Sequence, residues 1–215
     1  MKRSALVAGP TGLIGSTVLS QLLLNDGYER VVALARKPLN LQHAKLDQWI
    51  ADDLLSALRP ERVDVVFCCL GTTIRTAGSQ AAFAHVDHHL VVSLGRWAKE
   101  NGVRTFCVVS AIGADAGSRI FYNRVKGEME RDLKALGLPV LHIFQPSILT
   151  GPRKEVRVGE RIGIAAMKLF APLVVGGLDR YRPMPNDLLA RSMINAAEIA
   201  MSGTHTYRDI ARMAG

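Results

Sequence analysis

Short apolar runs alternate with longer segments of helical period through the first two thirds of the chain. The runs are SALVAG, VVALAR, KLDQWIAD, DVVFCCLG, RTFCVVSA and PVLHIFQPS, and each has the length and composition of one strand. DVVFCCLG is apolar without interruption, which is typical of a strand covered on both faces of its sheet. The pattern predicts six strands in a parallel sheet.

Three segments between these runs have the period of a helix, at residues 11–24, 79–101 and 119–136. Asn or Gly residues follow each of them, as they often do at helix ends. For the first helix, the spacing predicts one face made of Leu13, Thr17, Ser20 and Leu24. Strands joined by crossover helices in this way form a doubly wound parallel α/β sheet.

The alternation stops after Gly151. Residues 162–175 have an amphipathic helical pattern interrupted by Pro172, and residues 186–201 form a further helix with Asn186 as its predicted cap. Too few strand residues remain for a second sheet. Because 215 residues suit one core, we expect a single domain in which residues 1–149 form the sheet and residues 150–215 cover its carboxyl edge.

The charge balance is basic, with 27 Lys and Arg against 19 Asp and Glu, or +8. Such an excess suits nucleic acid, an acidic membrane surface or phosphorylated ligands. The densest basic cluster, at residues 153–161, is interleaved with Glu155 and Glu160 and has no aromatic neighbours for base stacking. We interpret it as solvated surface and expect no specific nucleic-acid partner. A protein partner, and the choice between monomer and homodimer, stay open.

Cysteines and the amino terminus indicate the compartment. Cys68, Cys69 and Cys107 lie in apolar runs without CxxC spacing, as reduced, buried cysteines do. The start, MKRSALVAG, imitates an export signal, but GPTG interrupts its apolar part. No stretch of 18 apolar residues is present. We therefore expect a cytoplasmic protein without a membrane span. We expect no metal site, because His85, His88 and His89 lack a further ligand and suit a surface or an interface.

A glycine motif, GPTGLIG, lies between the first strand and the first helix. Gly9 permits the tight turn, Gly12 allows close approach of a pyrophosphate, and Gly15 allows the helix to pack against the strand. The phosphates would lie at the positive end of the helix. No Lys follows the last glycine, which excludes a Walker loop. The motif predicts dinucleotide binding by Gly9, Thr11, Gly12, Leu13, Ile14 and Gly15.

The end of the second strand predicts which dinucleotide is bound. Arg36 and Lys37 stand where an acidic residue would hold the adenosine ribose of NAD. A guanidinium instead forms a forked, charge-assisted contact with the 2′-phosphate of NADP. The sequence therefore favours NADP(H) over NAD(H), and the alternative is a solvated pair of basic residues.

Tyr122 and Lys126 are four residues apart on a predicted helix and so share a face. A nearby cation favours the ionised form of a phenol, and Lys126 would supply that charge and hold the nicotinamide ribose. Ser110 ends the fifth strand at the carboxyl edge, where it would hydrogen-bond a substrate carbonyl beside the Tyr122 hydroxyl. These three residues form a candidate catalytic set for hydride transfer.

Four motifs together, GPTGLIG, CCLGTT, VVSAIGAD and YNRVK, resemble the short-chain dehydrogenase/reductase superfamily. The likeness is to its atypical single-domain branch, which includes the Tat-interacting oxidoreductase-like proteins, and it covers nearly the whole chain. It implies a Rossmann fold, NADP(H) and catalysis by Ser110, Tyr122 and Lys126. It also implies further cofactor contacts at Asp53, Leu54, Leu70, Gly71, Thr72, Pro146, Ser147 and Ile148.

One position departs from that family. Many members have an asparagine that relays protons from the lysine, and the nearest match here is Asp87. We expect an NADP(H)-dependent oxidoreductase that acts on a carbonyl-type small molecule. The alternative is a regulatory protein that binds NADPH, senses redox state and has little or no catalysis.

Overall fold

Seven parallel strands form one sheet in the computed structural model, which describes residues 2–150 and 182–215. They are β1 (Arg3–Ala8), β2 (Tyr28–Ala35), β3 (Leu46–Ile50), β4 (Val65–Cys68), β5 (Thr105–Val109), β6 (Val140–Phe144) and β9 (Gly203–His205). Their spatial order is β3-β2-β1-β4-β5-β6-β9. The predicted doubly wound α/β sheet is confirmed.

Seven helices flank the strands in these ranges. They are α1 (Leu13–Leu24), α2 (Ile74–Ala77), α3 (Gln80–Ala84), α4 (Leu90–Glu100), α5 (Phe121–Ala135), α6 (Asn186–Ala196) and α7 (Tyr207–Met213). A 3₁₀ turn, Leu54–Ala57, follows β3, and a π-helical turn, His85–His89, joins α3 to α4. Two further short strands, β7 (Leu149–Thr150) and β8 (Met184–Pro185), pair in parallel. No helix in the described ranges is long and apolar enough to cross a bilayer.

The core has one apolar layer on each face of the sheet. On one face, Leu94 of α4 and Met129 of α5 pack against Val66 and other strand residues. On the other face, Val18 of α1 and Met193 of α6 belong to the second layer. Both faces of the central strands are therefore covered, which explains why their sequences are continuously apolar.

The residues of α1 that the structure buries are not those of the face that the spacing predicts. The buried residues are Ile14, Gly15, Val18, Leu19, Leu22 and Leu23, whereas Leu24 is 81% exposed. The reason is that α1 contacts both the sheet and α6. More of its circumference is therefore buried than in a helix that packs on one side only. Leu24 ends the helix beyond these contacts.

The described part of the C-terminal third completes the sheet. Strand β9, which sequence analysis missed, pairs with β6, and α6 packs on α1 beneath the sheet instead of over its carboxyl edge. Asn186 does not cap α6, because Pro185 takes that position and the Asn186 amide donates to Thr17 Oγ1 at 2.8 Å. The predicted helix at residues 162–175 and the basic cluster lie outside the described residues.

Candidate functional site

A cleft of about 1340 Å³ opens where β1, β2 and β4 end. Parallel α/β sheets bind their ligands at this edge. Predicted cofactor residues that line the cleft are Gly9, Thr11, Gly12, Arg36, Lys37, Asp53, Leu54, Leu70, Gly71 and Thr72. The cleft is also lined by residues that the sequence did not indicate, namely Thr76, Ala77, Ala81, Ala82, His85 and Val86.

The glycine turn brings backbone, rather than side chains, to the floor of the cleft. Gly9 has φ +78°, and a Cβ there would lie 2.9 Å from the Cys69 carbonyl oxygen. A Cβ on Gly15 would lie 2.1 Å from the Gly9 oxygen, so α1 can start this close to the turn only with glycine. Leu13, Ile14 and Gly15 form the first turn of α1.

The amino terminus of α1 is open to the cleft. Gly12 is its cap residue, no side chain caps it, and its first turn contains no acidic residue. Gly12 is exposed and lines the cleft. Free amide groups and the helix dipole attract a phosphate at such a terminus, so this part of the cleft fits a pyrophosphate.

The cleft is lined by both basic and acidic side chains. Arg36 and Lys37 are exposed at the end of β2, whereas the Asp53 carboxylate accepts a hydrogen bond from the Leu55 amide and caps the 3₁₀ turn. Asp53 therefore has a structural role besides its place in the cleft wall.

The residues expected on the nicotinamide side hold the loop after β6. The Pro146 carbonyl accepts from the Ile112 amide at 2.9 Å, and the Ile148 carbonyl accepts from Met184 at 2.8 Å. The Ser147 hydroxyl donates to the Arg182 carbonyl. Their predicted contacts with a cofactor stay a prediction.

Tyr122 and Lys126 occupy one face of α5, and Asp87 of the π-helical turn meets them. Lys126 Nζ lies 2.8 Å from Asp87 Oδ1, and both side chains are almost fully buried. Burial alone lowers the pKa of the Lys126 ammonium, but the negative charges of Asp87 and of an ionised Tyr122 outweigh it and raise that pKa above its usual value. Lys126 is therefore a stable cation next to Tyr122.

An aromatic contact fixes the Tyr122 ring. Phe83 of α3 is fully buried, and its ring centroid lies 5.3 Å from that of Tyr122 and 6.0 Å from that of Phe121. Tilted rings at this distance attract each other in addition to the area they bury. Phe83 therefore limits where the Tyr122 hydroxyl can point.

Ser110 is held by a different carboxylate. Its hydroxyl donates to Glu130 Oε1 at 2.5 Å, and Gln145 Nε2 donates to both Glu130 oxygens. Glu130 follows Tyr122 by eight residues on α5, or roughly 12 Å along the helix axis. The structure thus brings Tyr122 and Lys126 together on one face of α5, and it places the Ser110 hydroxyl in a hydrogen bond with Glu130.

Glu130 and Phe83 were missed by sequence analysis, although one signal was present. Glu130 is four residues beyond Lys126 and eight beyond Tyr122, so it continues their row on α5. It is 5% exposed, and a glutamate on a buried helix face requires a partner. Its hydrogen-bond partners, Ser110 and Gln145, lie twenty and fifteen residues away in sequence and are not visible in any local pattern.

The histidines of the π-helical turn make contacts among themselves and with α5. His88 Nε2 lies 2.8 Å from Asp132 Oδ2, and the rings of His85 and His89 are 6.2 Å apart. Within residues 2–150 and 182–215, no three potential metal ligands come together.

Comparison with known proteins identifies relatives of most of the chain. Residues 9–163 match a family described as NAD(P)H-binding. The chain is 33% identical to "Protein fmp52, mitochondrial" of Aspergillus clavatus, over 94% of this chain and 90% of that protein. It is 32% identical to "Protein HTATIP2" of Rattus norvegicus, over 90% of this chain and 80% of that protein.

Solved structures share the fold at lower identity. Human epimerase family protein SDR39U1 with NADPH has a TM-score of 0.62 and 18% identity, over 94% of this chain and 74% of that chain. Other structures with this fold contain NAD.

The predicted cytoplasmic location is contradicted by these relatives. Several fungal fmp52 proteins, 33–37% identical to this chain, are named mitochondrial. The prediction rested on buried cysteines and on the apolar pattern of the chain, and neither distinguishes the cytoplasm from other compartments in which thiols stay reduced.

Proposed function

This chain belongs to the NAD(P)H-binding family of atypical short-chain dehydrogenases/reductases, and from that premise we propose that it is an NADP(H)-dependent reductase of a carbonyl-type small molecule. The observation that carries the proposal is the row of Tyr122 and Lys126 on α5, with Lys126 buried as a cation beneath Gly71 of the cleft wall. A phenol beside a fixed cation is suited to exchanging a proton with a substrate oxygen.

The residues of the cleft have distinct roles in this proposal. The backbone from Gly9 to Gly12 and the amino terminus of α1 bind the pyrophosphate, and Leu70, Gly71 and Thr72 form a wall against the dinucleotide. A bound nicotinamide supplies or accepts a hydride. Tyr122 donates the proton that the reduced oxygen requires, and Lys126 stabilises the phenolate that remains and holds the adjacent ribose.

The preference for NADP(H) follows from Arg36 and Lys37. Both line the cleft at the end of β2, where an exposed guanidinium can form two parallel hydrogen bonds with a 2′-phosphate. A carboxylate at position 36 would instead bind the two ribose hydroxyls of NAD and repel that phosphate.

A second candidate function is redox sensing, in which bound NADPH controls a protein partner and turnover is low or absent. The Ser110 hydroxyl supports it, because its single proton is given to Glu130 and is not free to polarise a substrate carbonyl. If the protein is a reductase, the Tyr122 hydroxyl must therefore polarise the substrate carbonyl. Ser110 then contributes through its hydrogen bond to Glu130.

The experiment is a screen of aldehydes, ketones and quinones for NADPH oxidation, followed by Tyr122→Phe on any substrate found. The variant removes the proton donor but keeps the ring contact with Phe83. We expect NADPH affinity to stay within about threefold and turnover to fall on the order of 10² to 10⁴. Lys126→Ala should lower affinity and turnover together, since Lys126 has both roles.

The matched control is Tyr207→Phe, which removes a phenol hydroxyl on the opposite face of the sheet and should change neither quantity. If the screen finds no turnover above background, and Tyr122→Phe leaves every measurable property unchanged, the reductase assignment fails and the sensor replaces it.

A further inference from the structure

Two helical segments meet at the catalytic row with the same spacing. Phe83 and Asp87, four residues apart, lie opposite Tyr122 and Lys126, which are also four apart. The first contact is between rings, at 5.3 Å, and the second is between charges, at 2.8 Å. A single segment therefore fixes both the phenol and the cation of the proposed reaction.

The charged contact is enclosed from several sides. Asp87 is 1% exposed and Lys126 is 3% exposed. Asp87 Oδ2 accepts a hydrogen bond from the Thr72 amide at 2.8 Å, and a Cβ on Gly71 would lie 3.4 Å from Oδ1 and 3.9 Å from Lys126 Nζ. The pair thus lies directly under the wall that faces the cleft.

A lone cation and an ion pair act differently on a neighbouring phenol. An ammonium by itself stabilises the phenolate strongly, because little solvent screens it at a buried site. A carboxylate 2.8 Å from that ammonium offsets part of its field, so the phenolate is stabilised less than it would be beside a lone cation. The phenol then keeps its proton to a higher pH.

We propose that Asp87 is a positioning residue that neutralises Lys126, so that Tyr122 is a proton donor at neutral pH and the site is suited to reduction rather than to oxidation. This inference rests on the proposed function. In reduction, the carbonyl carbon accepts a hydride from the reduced nicotinamide, the C=O double bond becomes single, and its oxygen takes the Tyr122 proton. The phenolate regains a proton from solvent, and the nicotinamide is left oxidised.

The other groups around the pair do not replace Asp87. Cys68 ends β4, and burial raises the pKa of its thiol to about 12, so it is neutral at working pH. Glu130, one turn further along α5, is bonded to Ser110 and Gln145. Phe83 on α3 carries no charge. Within the described residues, Asp87 is therefore the carboxylate in contact with the Lys126 ammonium.

The test is a titration of tyrosinate absorbance in the full-length protein, which requires no substrate. The chain has four tyrosines, and subtracting the Tyr122→Phe curve isolates the transition of Tyr122. In Asp87→Asn the midpoint of that transition should move down by at least about one pH unit, the scale of a unit charge several ångströms away in protein. A midpoint that does not move overturns the proposal.

A double-variant cycle keeps the test decisive if Asp87→Asn folds poorly. Lys126→Met should move the midpoint upward, and Asp87→Asn/Lys126→Met, which removes both charges, should return it to within about half a pH unit of the native value. A double variant that stays as high as Lys126→Met would show that Asp87 does not neutralise the lysine.

The control is Asp132→Asn, on α5 but paired with His88 and Arg131, which should leave the midpoint unchanged. The titration does not depend on turnover, so it tests the role of Asp87 separately from the proposed function. If the midpoints shift as expected but the protein has no reductase activity, the proposed function is wrong and the role of Asp87 stands. If the protein is an active reductase but the midpoint does not move in Asp87→Asn, only the role of Asp87 is wrong.

Discussion

In the proposed function, a nucleotide end lies at the glycine turn of the cleft, and a proton-transfer end lies behind the cleft wall at Gly71, where Lys126 meets Asp87. The two ends use different parts of the chain. At the nucleotide end, backbone amides and glycines face the ligand, and the charged side chains Arg36 and Lys37 remain exposed. At the proton-transfer end, two buried carboxylates, Asp87 and Glu130, each bind a predicted catalytic side chain. The first end depends on close backbone approach, and the second depends on charges that solvent cannot screen.

The largest expected effect concerns backbone approach. In Gly15→Ala the new methyl group would meet the Gly9 carbonyl at 2.1 Å, so the free energy of unfolding should fall by about 3 kcal/mol. Gly12→Ala is the matched control, because its methyl group would meet the same oxygen at 3.4 Å and should leave stability nearly unchanged.

The two alanine variants should separate stability from binding. Gly12→Ala places a methyl group where a phosphate would approach, so NADPH affinity should fall although urea unfolding is unaffected. Equal stability of both variants would contradict the packing account, and unchanged affinity in Gly12→Ala would show that phosphate does not approach this turn.

Local patterns predicted the glycine turn between β1 and α1. The glycine turn is a run of seven residues, and the contact that requires Gly15 lies within this run. The contact that requires Gly9 is with Cys69, sixty residues away, and is not a local feature. The spacing of Tyr122 and Lys126 is local, because both lie on one helix. Such features can be predicted because the atoms involved are close in sequence.

Contacts between distant segments could not be predicted in the same way. The sequence predicts a substrate contact for Ser110, and no local pattern indicates the hydrogen bond that its hydroxyl forms with Glu130 of α5. Strand β9 has three residues, too few for an alternating pattern, and its pairing with β6 defines it. The covered arc of α1 depends on α6, which is more than 160 residues away in sequence.

A smaller effect is expected where Ser110 meets Glu130. Ser110→Ala removes a hydrogen bond to a buried carboxylate that keeps its bonds from Gln145, so the free energy of unfolding should fall by about 1 to 3 kcal/mol. Turnover should change by less than about threefold if the hydroxyl serves Glu130, to which it is hydrogen-bonded, and not the substrate. Ser20→Ala on the exposed side of α1 is the control for both measurements.

A large loss of turnover without a loss of stability in Ser110→Ala would change the role assigned to Ser110. A loss of turnover of about 10² or more with stability intact would place the Ser110 hydroxyl on the substrate, as the family resemblance implies. The proton-transfer end would then contain a serine that exchanges Glu130 for substrate during the reaction.

Every role assigned to the carboxyl edge depends on NADP(H) in the cleft, and calorimetric titration of Arg36→Glu with NADPH and NADH tests that claim most directly. We expect NADPH binding to weaken by about 1.5 to 3 kcal/mol, the scale of hydrogen bonds to a charged group, and NADH binding to change less. Arg96→Glu, which makes the same change of charge on the exposed side of α4, should leave both affinities unaltered. Equal losses for the two nucleotides in Arg36→Glu would show that this guanidinium does not bind a 2′-phosphate, and no binding of either nucleotide to the native protein would contradict the account as a whole.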